Sequence, residues 1–174
     1  LSCAGVETTI LPTAMLSTHT GGFTGWTCKD LESEIMPIVN HWMSLEDVYF
    51  DGVYTGYLAS KEQIKLIMDV FDILSTKHNL YKMIDPAMAD NGKMYPAFTD
   101  DFALEMKKLC LKADIIVPNL TEACKMTGIE YIPGVASKEY IENVINELVK
   151  FGVKQIVLTS VVLEEGKIGS ACYE

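Results

Sequence analysis

The sequence lacks the features that mark membrane, zinc-binding or disulfide-rich proteins. No stretch approaches the roughly 20 continuous apolar residues that span a bilayer, and the five cysteines form no C-x-x-C pair. Scattered cysteines in odd number predict neither a zinc site nor a disulfide framework, so we expect a reducing, cytoplasmic setting. Basic residues are few as well. Fourteen of them against twenty-four acidic residues give a formal charge of -10, which disfavours binding to nucleic acid and to anionic membranes.

Three common catalytic motifs are also missing. The sequence contains no G-x-x-x-x-G-K-[ST] phosphate loop, no G-x-G-x-x-G fingerprint and no G-x-S-x-G elbow. The glycines at 21–25 therefore fit a turn or a substrate flap better than a phosphate loop, and covalent hydrolase chemistry has little support. A nucleotide could still bind, because backbone amides and a divalent cation act locally against the overall charge.

What is present is a regular alternation of apolar segments. A chain of 174 residues with 49% hydrophobic content is long enough for one domain, which we expect to span 1–174. Strands are predicted at 6–15, 48–58, 80–85, 113–118, 154–160 and, as an edge strand, 166–174. Helices are predicted at 27–43, 60–76, 99–112, 119–128 and from 137 to about 151. This order predicts an α/β fold, with a mostly parallel sheet flanked by helices on both faces.

Polar residues follow five of the predicted strands, at the point where each strand ends. They are Thr18, His19 and Thr20, then Thr55 and Tyr57, then Asp85 and Asp90, then Asn119 and Glu122, and finally Thr159 and Ser160. Because the carboxyl ends of parallel strands meet at one edge of a sheet, these side chains are expected to surround one binding site.

Each of these groups also has a purely structural interpretation. Asp85 before Pro86, and Asp90 before Asn91, are common turn signals. Asn119 and Glu122 are spaced as the first cap and third residue of a helix, so taken alone they favour capping. The two interpretations are compatible, because a capping glutamate can still orient water around a magnesium ion.

Four segments carry a resemblance to a known family: STHTGGF, TGYL, DPAMADNGKMY and VPNLTEA. In this order and at these intervals they closely resemble the pyridoxal kinase family of the ribokinase-like superfamily, and the resemblance covers essentially the whole chain. It implies ATP-dependent phosphorylation of the 5'-hydroxymethyl group of pyridoxal, pyridoxine or pyridoxamine. It also implies a cytoplasmic homodimer that acts in vitamin B6 salvage.

The resemblance implies a role for individual residues. Thr20, Gly21 and Tyr57 would contact the B6 vitamer. Tyr95 would close the loop, and Mg²⁺ would be held near Asp85, Asp90 and Glu122. The requirement for a monovalent cation is left open. The nucleotide would lie against Asp85, Val117, Asn119, Glu122, Thr159 and Ser160.

The sequence departs from the family in ways that leave other functions open. The Gly-x-Gly-Asp motif that supplies the family's general base does not occur, and neither does the family's first strand. We therefore expect a fragment, incomplete at both ends and inactive alone, with its catalytic base unknown. Ala89 and Val117 replace a common Gly and a common Thr. The alternatives are hydroxymethylpyrimidine kinase, which shares the DP and PN-x-x-E loops, and a non-catalytic ligand-binding protein.

Overall fold

The computed structural model describes residues 1–18 and 23–174. The chain divides into two compact units, Leu1–Val48 and Tyr49–Glu174. The single domain expected over 1–174 stays a prediction, and Thr20 and Gly21 lie outside the described residues together with His19. Within the described ranges, no helix is both long enough and apolar enough to cross a membrane.

The first unit contains two short strands and one helix. Its elements are a 3-10 turn at Ser2–Ala4, strand β1 at Ala14–Leu16, strand β2 at Cys28–Asp30 and helix α1 at Glu32–Ser44. β1 and β2 are antiparallel, with Met15 opposite Lys29. The strand predicted over 6–15 is therefore mostly wrong, because residues 6–10 are exposed and have no face to bury. The helix predicted from residue 27 starts later, where Asp30 Oδ1 accepts a hydrogen bond from the Glu32 amide at 2.8 Å.

The second unit is built on a five-stranded sheet. Its elements are β3 Gly52–Thr55, α2 Lys61–Leu74, β4 Tyr81–Ile84, β5 Ala89–Asp90, β6 Lys93–Met94, α3 Asp100–Cys110, β7 Ile115–Ile116, α4 Leu120–Thr127, α5 Lys138–Val149, β8 Gln155–Val161 and β9 Gly169–Tyr173. The strand order is β3-β4-β7-β8-β9. The first four strands are parallel, and β9 runs antiparallel to β8. The predicted α/β fold with a mostly parallel sheet flanked by helices is confirmed.

Helix α2 begins and packs as its sequence predicts. The Ser60 hydroxyl accepts a hydrogen bond from the Gln63 amide at 3.0 Å, and Gln63 Oε1 accepts one from the Ala59 amide at 2.8 Å. Its apolar stripe includes Ile64 and Phe71, which are almost fully buried. Burial of one such side chain contributes about 1.5–3 kcal/mol relative to exposure. Packing of this stripe fixes α2 against the core. It thereby also fixes the end of the loop that joins β3 to α2.

The backbone ladder continues beyond the ends of the parallel strands. The Asp85 amide donates to Thr55 O at 3.2 Å, and the Thr159 amide donates to Pro118 O at 2.9 Å. Ile84 at the end of β4 and Ile116 at the end of β7 are completely buried. These hydrophobic anchors hold the loops that follow in register, so that polar residues directly after them emerge at one edge of the sheet.

Candidate functional site

A cavity of about 340 Å³ lies where β4, β7 and β8 end. Its lining residues are Asp85, Ala87, Asp90, Tyr95, Val117, Asn119, Glu122, Thr159 and Ser160. The structure thus brings together all seven residues that the sequence analysis assigned to nucleotide or metal. A larger cavity of about 560 Å³ between α2 and α3 has a different character: it is an open groove of lysine, acidic and leucine side chains on helix surfaces. We place the candidate site in the smaller cavity, because the strand ends converge there.

The residues expected to contact a B6 vitamer are less fully described. Tyr57 does not line the cavity; its ring lies 5.6 Å from the ring of Phe98. Thr20 and Gly21 fall outside the described residues. The hydroxyl oxygen of Thr55, the last residue of β3 and two positions before Tyr57, is buried and has no hydrogen-bond partner among the described residues. The residues that the structure places at the cavity are therefore those expected to bind nucleotide and metal.

Asn119 and Glu122 form the cap of helix α4 and also tie it to the loop after β4. Asn119 Oδ1 accepts from the Glu122 amide at 2.9 Å, and Glu122 Oε2 accepts from the Asn119 amide at 2.8 Å. Glu122 Oε1 accepts from the Met88 amide at 3.1 Å, while Asn119 Nδ2 donates to Ala89 O at 2.8 Å. The predicted capping box is confirmed, and the same two side chains fix the position of the cavity wall.

Residue Glu122 is 2% exposed, and its carboxyl group has a shifted pKa. Burial raises its pKa to about 7, and the charge of Asp85 adds to this effect, whereas hydrogen bonds from backbone amides oppose it. Burial likewise raises the pKa of Asp85, against a hydrogen bond from Tyr54 that lowers it. The carboxyl groups of Glu122 and Asp85 therefore lie close together in a partly desolvated site. A cation bound there would favour their charged forms.

The donor set of the cavity suits a hard divalent cation. Magnesium prefers carboxylate, carbonyl and water oxygens, and it commonly keeps several waters or substrate phosphates as ligands. Across residues 1–18 and 23–174, no group of three acidic, histidine or cysteine side chains is arranged to hold a metal by itself. The residues therefore fit an ion whose coordination is completed by phosphate and water, rather than an ion held in a closed protein cage.

Asp90 enters the cavity on a tight hairpin. β5 and β6 pair antiparallel with Asp90 opposite Lys93, which leaves Asn91 and Gly92 as a two-residue turn. Both have positive φ, 50° and 78°, as a type I' turn requires. Asp90 Oδ1 accepts from the Asn91 amide at 2.8 Å, and Oδ2 accepts from Asn91 Nδ2 at 3.0 Å. The turn signal read from the sequence is confirmed.

The sequence analysis passed over two residues at this edge, Ala87 and Tyr54. Ala87 lines the cavity from within the DPAM segment. The Tyr54 hydroxyl donates to Asp85 Oδ2 at 3.0 Å, and the parallel pairing of Tyr54 with Met83 explains why it reaches that position. Ser160, which the sequence analysis did assign to the nucleotide, has φ 58°, in the left-handed region, at an irregularity in the pairing of β8 with β9. Single-residue backbone strain of this kind often accompanies a binding site.

Known proteins share this fold and sequence pattern. Residues 3–172 match the family model described as phosphomethylpyrimidine kinase. A Bacteroides thetaiotaomicron protein of known structure, provisionally named a phosphomethylpyrimidine kinase, is 34% identical with a TM-score of 0.84, and the match covers 94% of this chain and 55% of that one. A second crystal form of that protein contains pyridoxal.

Two proteins named pyridoxal kinase are also similar. The Lactobacillus plantarum structure is 29% identical with a TM-score of 0.77, covering 92% of this chain and 55% of that one. The Arabidopsis thaliana protein is 25% identical over 166 residues, which are 94% of this chain and 52% of the relative. The chain spans about half the length of the curated relatives it matches.

Proposed function

Since the chain belongs to the phosphomethylpyrimidine kinase family, we propose that the protein transfers the γ-phosphate of ATP to the 5'-hydroxymethyl group of pyridoxal, pyridoxine or pyridoxamine. The observation that carries the proposal is the convergence of the loops after β4, β7 and β8 on one acidic cavity. Relatives named pyridoxal kinase support the choice of substrate. The homodimer and the cytoplasmic location implied by the resemblance stay predictions.

The proposed chemistry is mostly positioning and neutralisation of charge. Asp85, Asp90 and Glu122 supply oxygen ligands to the cation or to its waters. When bound, magnesium neutralises the phosphates that these carboxylates would otherwise repel. Thr159 and Ser160 offer hydroxyl groups that can donate hydrogen bonds to phosphate oxygens. Tyr57, Thr20 and Gly21 are proposed to contact the vitamer.

A second substrate class is favoured by a specific observation. The family description names phosphomethylpyrimidine, and the relative that is 34% identical carries the same name provisionally. A hydroxymethylpyrimidine and a B6 vitamer both present a primary alcohol on a flat heteroaromatic ring. The second crystal form of that relative contains pyridoxal, so we rank the pyridine substrate first.

A direct assay separates the two substrates. The full-length gene product is mixed with ATP and magnesium, and with pyridoxal or hydroxymethylpyrimidine in parallel. We expect a higher kcat/KM for pyridoxal, and phosphorylation of the pyrimidine alone would contradict the proposal.

Asp85→Asn tests the acidic cavity itself. It should lower kcat by roughly 100-fold or more, in the range found when one preorganised electrostatic group is lost from an active site. The melting temperature should stay close to that of the wild type. Asp69→Asn, on the exposed face of α2, is the matched control and should keep full activity. Unchanged turnover of Asp85→Asn would contradict a catalytic role for this loop and would leave Asp85 with a structural role in the turn.

A further inference from the structure

The hairpin that carries Asp90 into the cavity is held from the side of helix α4. Asn119 Nδ2 donates to Ala89 O at 2.8 Å, and the Gly92 amide donates to the Thr121 hydroxyl at 3.0 Å. Both contacts fix the hairpin backbone at its base and at its turn. Neither contact covers the face of the turn from which a side chain at position 92 would project.

The ring of Tyr131 covers that face. A Cβ placed on Gly92 would lie 2.7 Å from Tyr131 Cδ1 and 3.0 Å from Cε1, closer than real Cβ atoms approach a ring carbon. The ring therefore rests directly against the turn, in a space that only glycine leaves open. The nearest atoms are ring carbons, so the contact does not involve the hydroxyl group.

Tyr131 is itself held by one hydroxyl group on helix α5. The Tyr140 hydroxyl donates to Glu130 O at 2.8 Å and accepts from the Ile132 amide at 3.4 Å, so it binds the two residues on either side of Tyr131. The same oxygen lies 3.2 Å from the sulfur of the buried Cys124 on α4. The segment that carries Tyr131 is thus tied to both α5 and α4.

We infer that Tyr131 is a positioning residue that holds the Asp90 hairpin against the cavity. The Tyr140 hydroxyl fixes the backbone on either side of Tyr131, and the Tyr131 ring packs on Gly92. This inference rests on the proposed function, because it gives Asp90 a role at the phosphates. Tyr131 does not line the cavity; it acts through the hairpin. The left-handed turn at residues 91 and 92 can then keep one orientation while nucleotide binds and leaves.

The first test removes the ring. Tyr131→Ala should raise the KM for ATP about tenfold, the range found when residues that orient metal or phosphate ligands are lost. The KM for pyridoxal should change less than about twofold, because the Asp90 hairpin is proposed to act on the phosphates and not on the vitamer. Tyr131→Phe keeps the aromatic ring and should retain the wild-type KM for ATP. Tyr140→Phe should act like a weaker form of Tyr131→Ala.

The second test uses the steric contact as a double-mutant cycle. Gly92→Ala places a Cβ against the ring and also imposes a side chain at positive φ. In the Tyr131→Ala background only the backbone cost remains, so the rise in KM caused by Gly92→Ala should be smaller there by about fivefold or more. Gly152→Ala is the matched control, because Gly152 has φ 76° but open space around it. Its effect should be the same in both backgrounds.

Hydrogen exchange separates failure of this inference from failure of the proposed function. Tyr131→Ala should speed exchange of the Gly92 amide about tenfold or more, without ATP and whatever the substrate proves to be. Faster exchange with an unchanged KM for ATP would overturn the positioning role, and so would exchange at the wild-type rate. Additive effects in the cycle would do the same. If no B6 vitamer is phosphorylated, the exchange rate and the affinity for ATP with magnesium still decide the matter.

Discussion

The buried carboxyl of Glu122 should make this protein less stable as the pH rises toward neutrality. Burial raises its pKa from 4.5 to about 7 in the folded state. The folded protein therefore holds this proton more tightly than the unfolded chain does. The resulting stabilisation is fully present below about pH 4.5 and is lost as the pH rises through about 7.

The size of the effect follows from the two pKa values. At about 1.36 kcal/mol for each pH unit, the difference between 4.5 and about 7 corresponds to roughly 3 kcal/mol of unfolding free energy. Glu122→Gln removes the titration. It also replaces one acceptor oxygen by an amide donor, so one of the Met88 and Asn119 amides loses its partner. That loss costs about 1–3 kcal/mol at every pH.

Urea denaturation at several pH values separates these two effects. Between pH 4.5 and 8, without nucleotide or metal, the stability advantage of the wild type over Glu122→Gln should shrink by roughly 3 kcal/mol. Glu142→Gln, on the exposed face of α5, should track the wild type throughout. A constant difference between wild type and Glu122→Gln would refute the reasoning, because it would mean that the carboxyl titrates alike in the folded and unfolded states.

Two further substitutions test single hydrogen bonds. Tyr54→Phe removes the hydrogen bond that lowers the pKa of Asp85 against the effect of burial. The value of kcat/KM should therefore fall about fivefold, and the acid limb of the pH profile should move to higher pH. An acid limb at the wild-type pH would show that the Tyr54 hydroxyl does not affect the pKa of Asp85. Ser60→Ala should lower the unfolding free energy by about 1 kcal/mol, whereas Thr99→Ala should cost far less, since the Thr99 side chain makes no cap bond; equal losses in thermal melts would contradict this assignment.

Local sequence signals predicted the parts of the fold that depend on local chemistry. Ser60 and Asn119 cap helices α2 and α4 as their spacing indicates, and Gly128 ends α4 in the left-handed conformation. Runs of isoleucine and valine at 113–118 and 154–160 predicted strands β7 and β8. The short strand β1 is different, because its pairing depends on partners 12 to 16 residues away, at Cys28–Asp30. No periodicity in 6–15 indicates those partners.

The candidate site shows the same division. Asp85, Asn119 and Thr159 could be predicted together, because each follows a strand and parallel strands end at one edge. Tyr54 and Tyr131 could not be predicted. Tyr54 contacts a residue 31 positions away and Tyr131 contacts one 39 positions away, and only the folded backbone brings these pairs together. A tyrosine in an apolar segment carries no local mark of such a contact.

Asp90 in the hairpin and Glu122 in helix α4 stabilise a turn and a helix cap, and the same carboxylates can also bind a cation. Both oxygens of Asp90 accept from Asn91, and both oxygens of Glu122 accept from backbone amides. A carboxylate offers about four lone-pair positions, so these bonds leave capacity for a magnesium ion or its waters. The bonds also fix each carboxylate before any ligand arrives, which lowers the entropy lost on binding. The structural and functional interpretations of these residues are thus compatible. The hydrogen bonds that hold the Asp90 turn and the α4 cap are the same bonds that would orient the two carboxylates toward the phosphates.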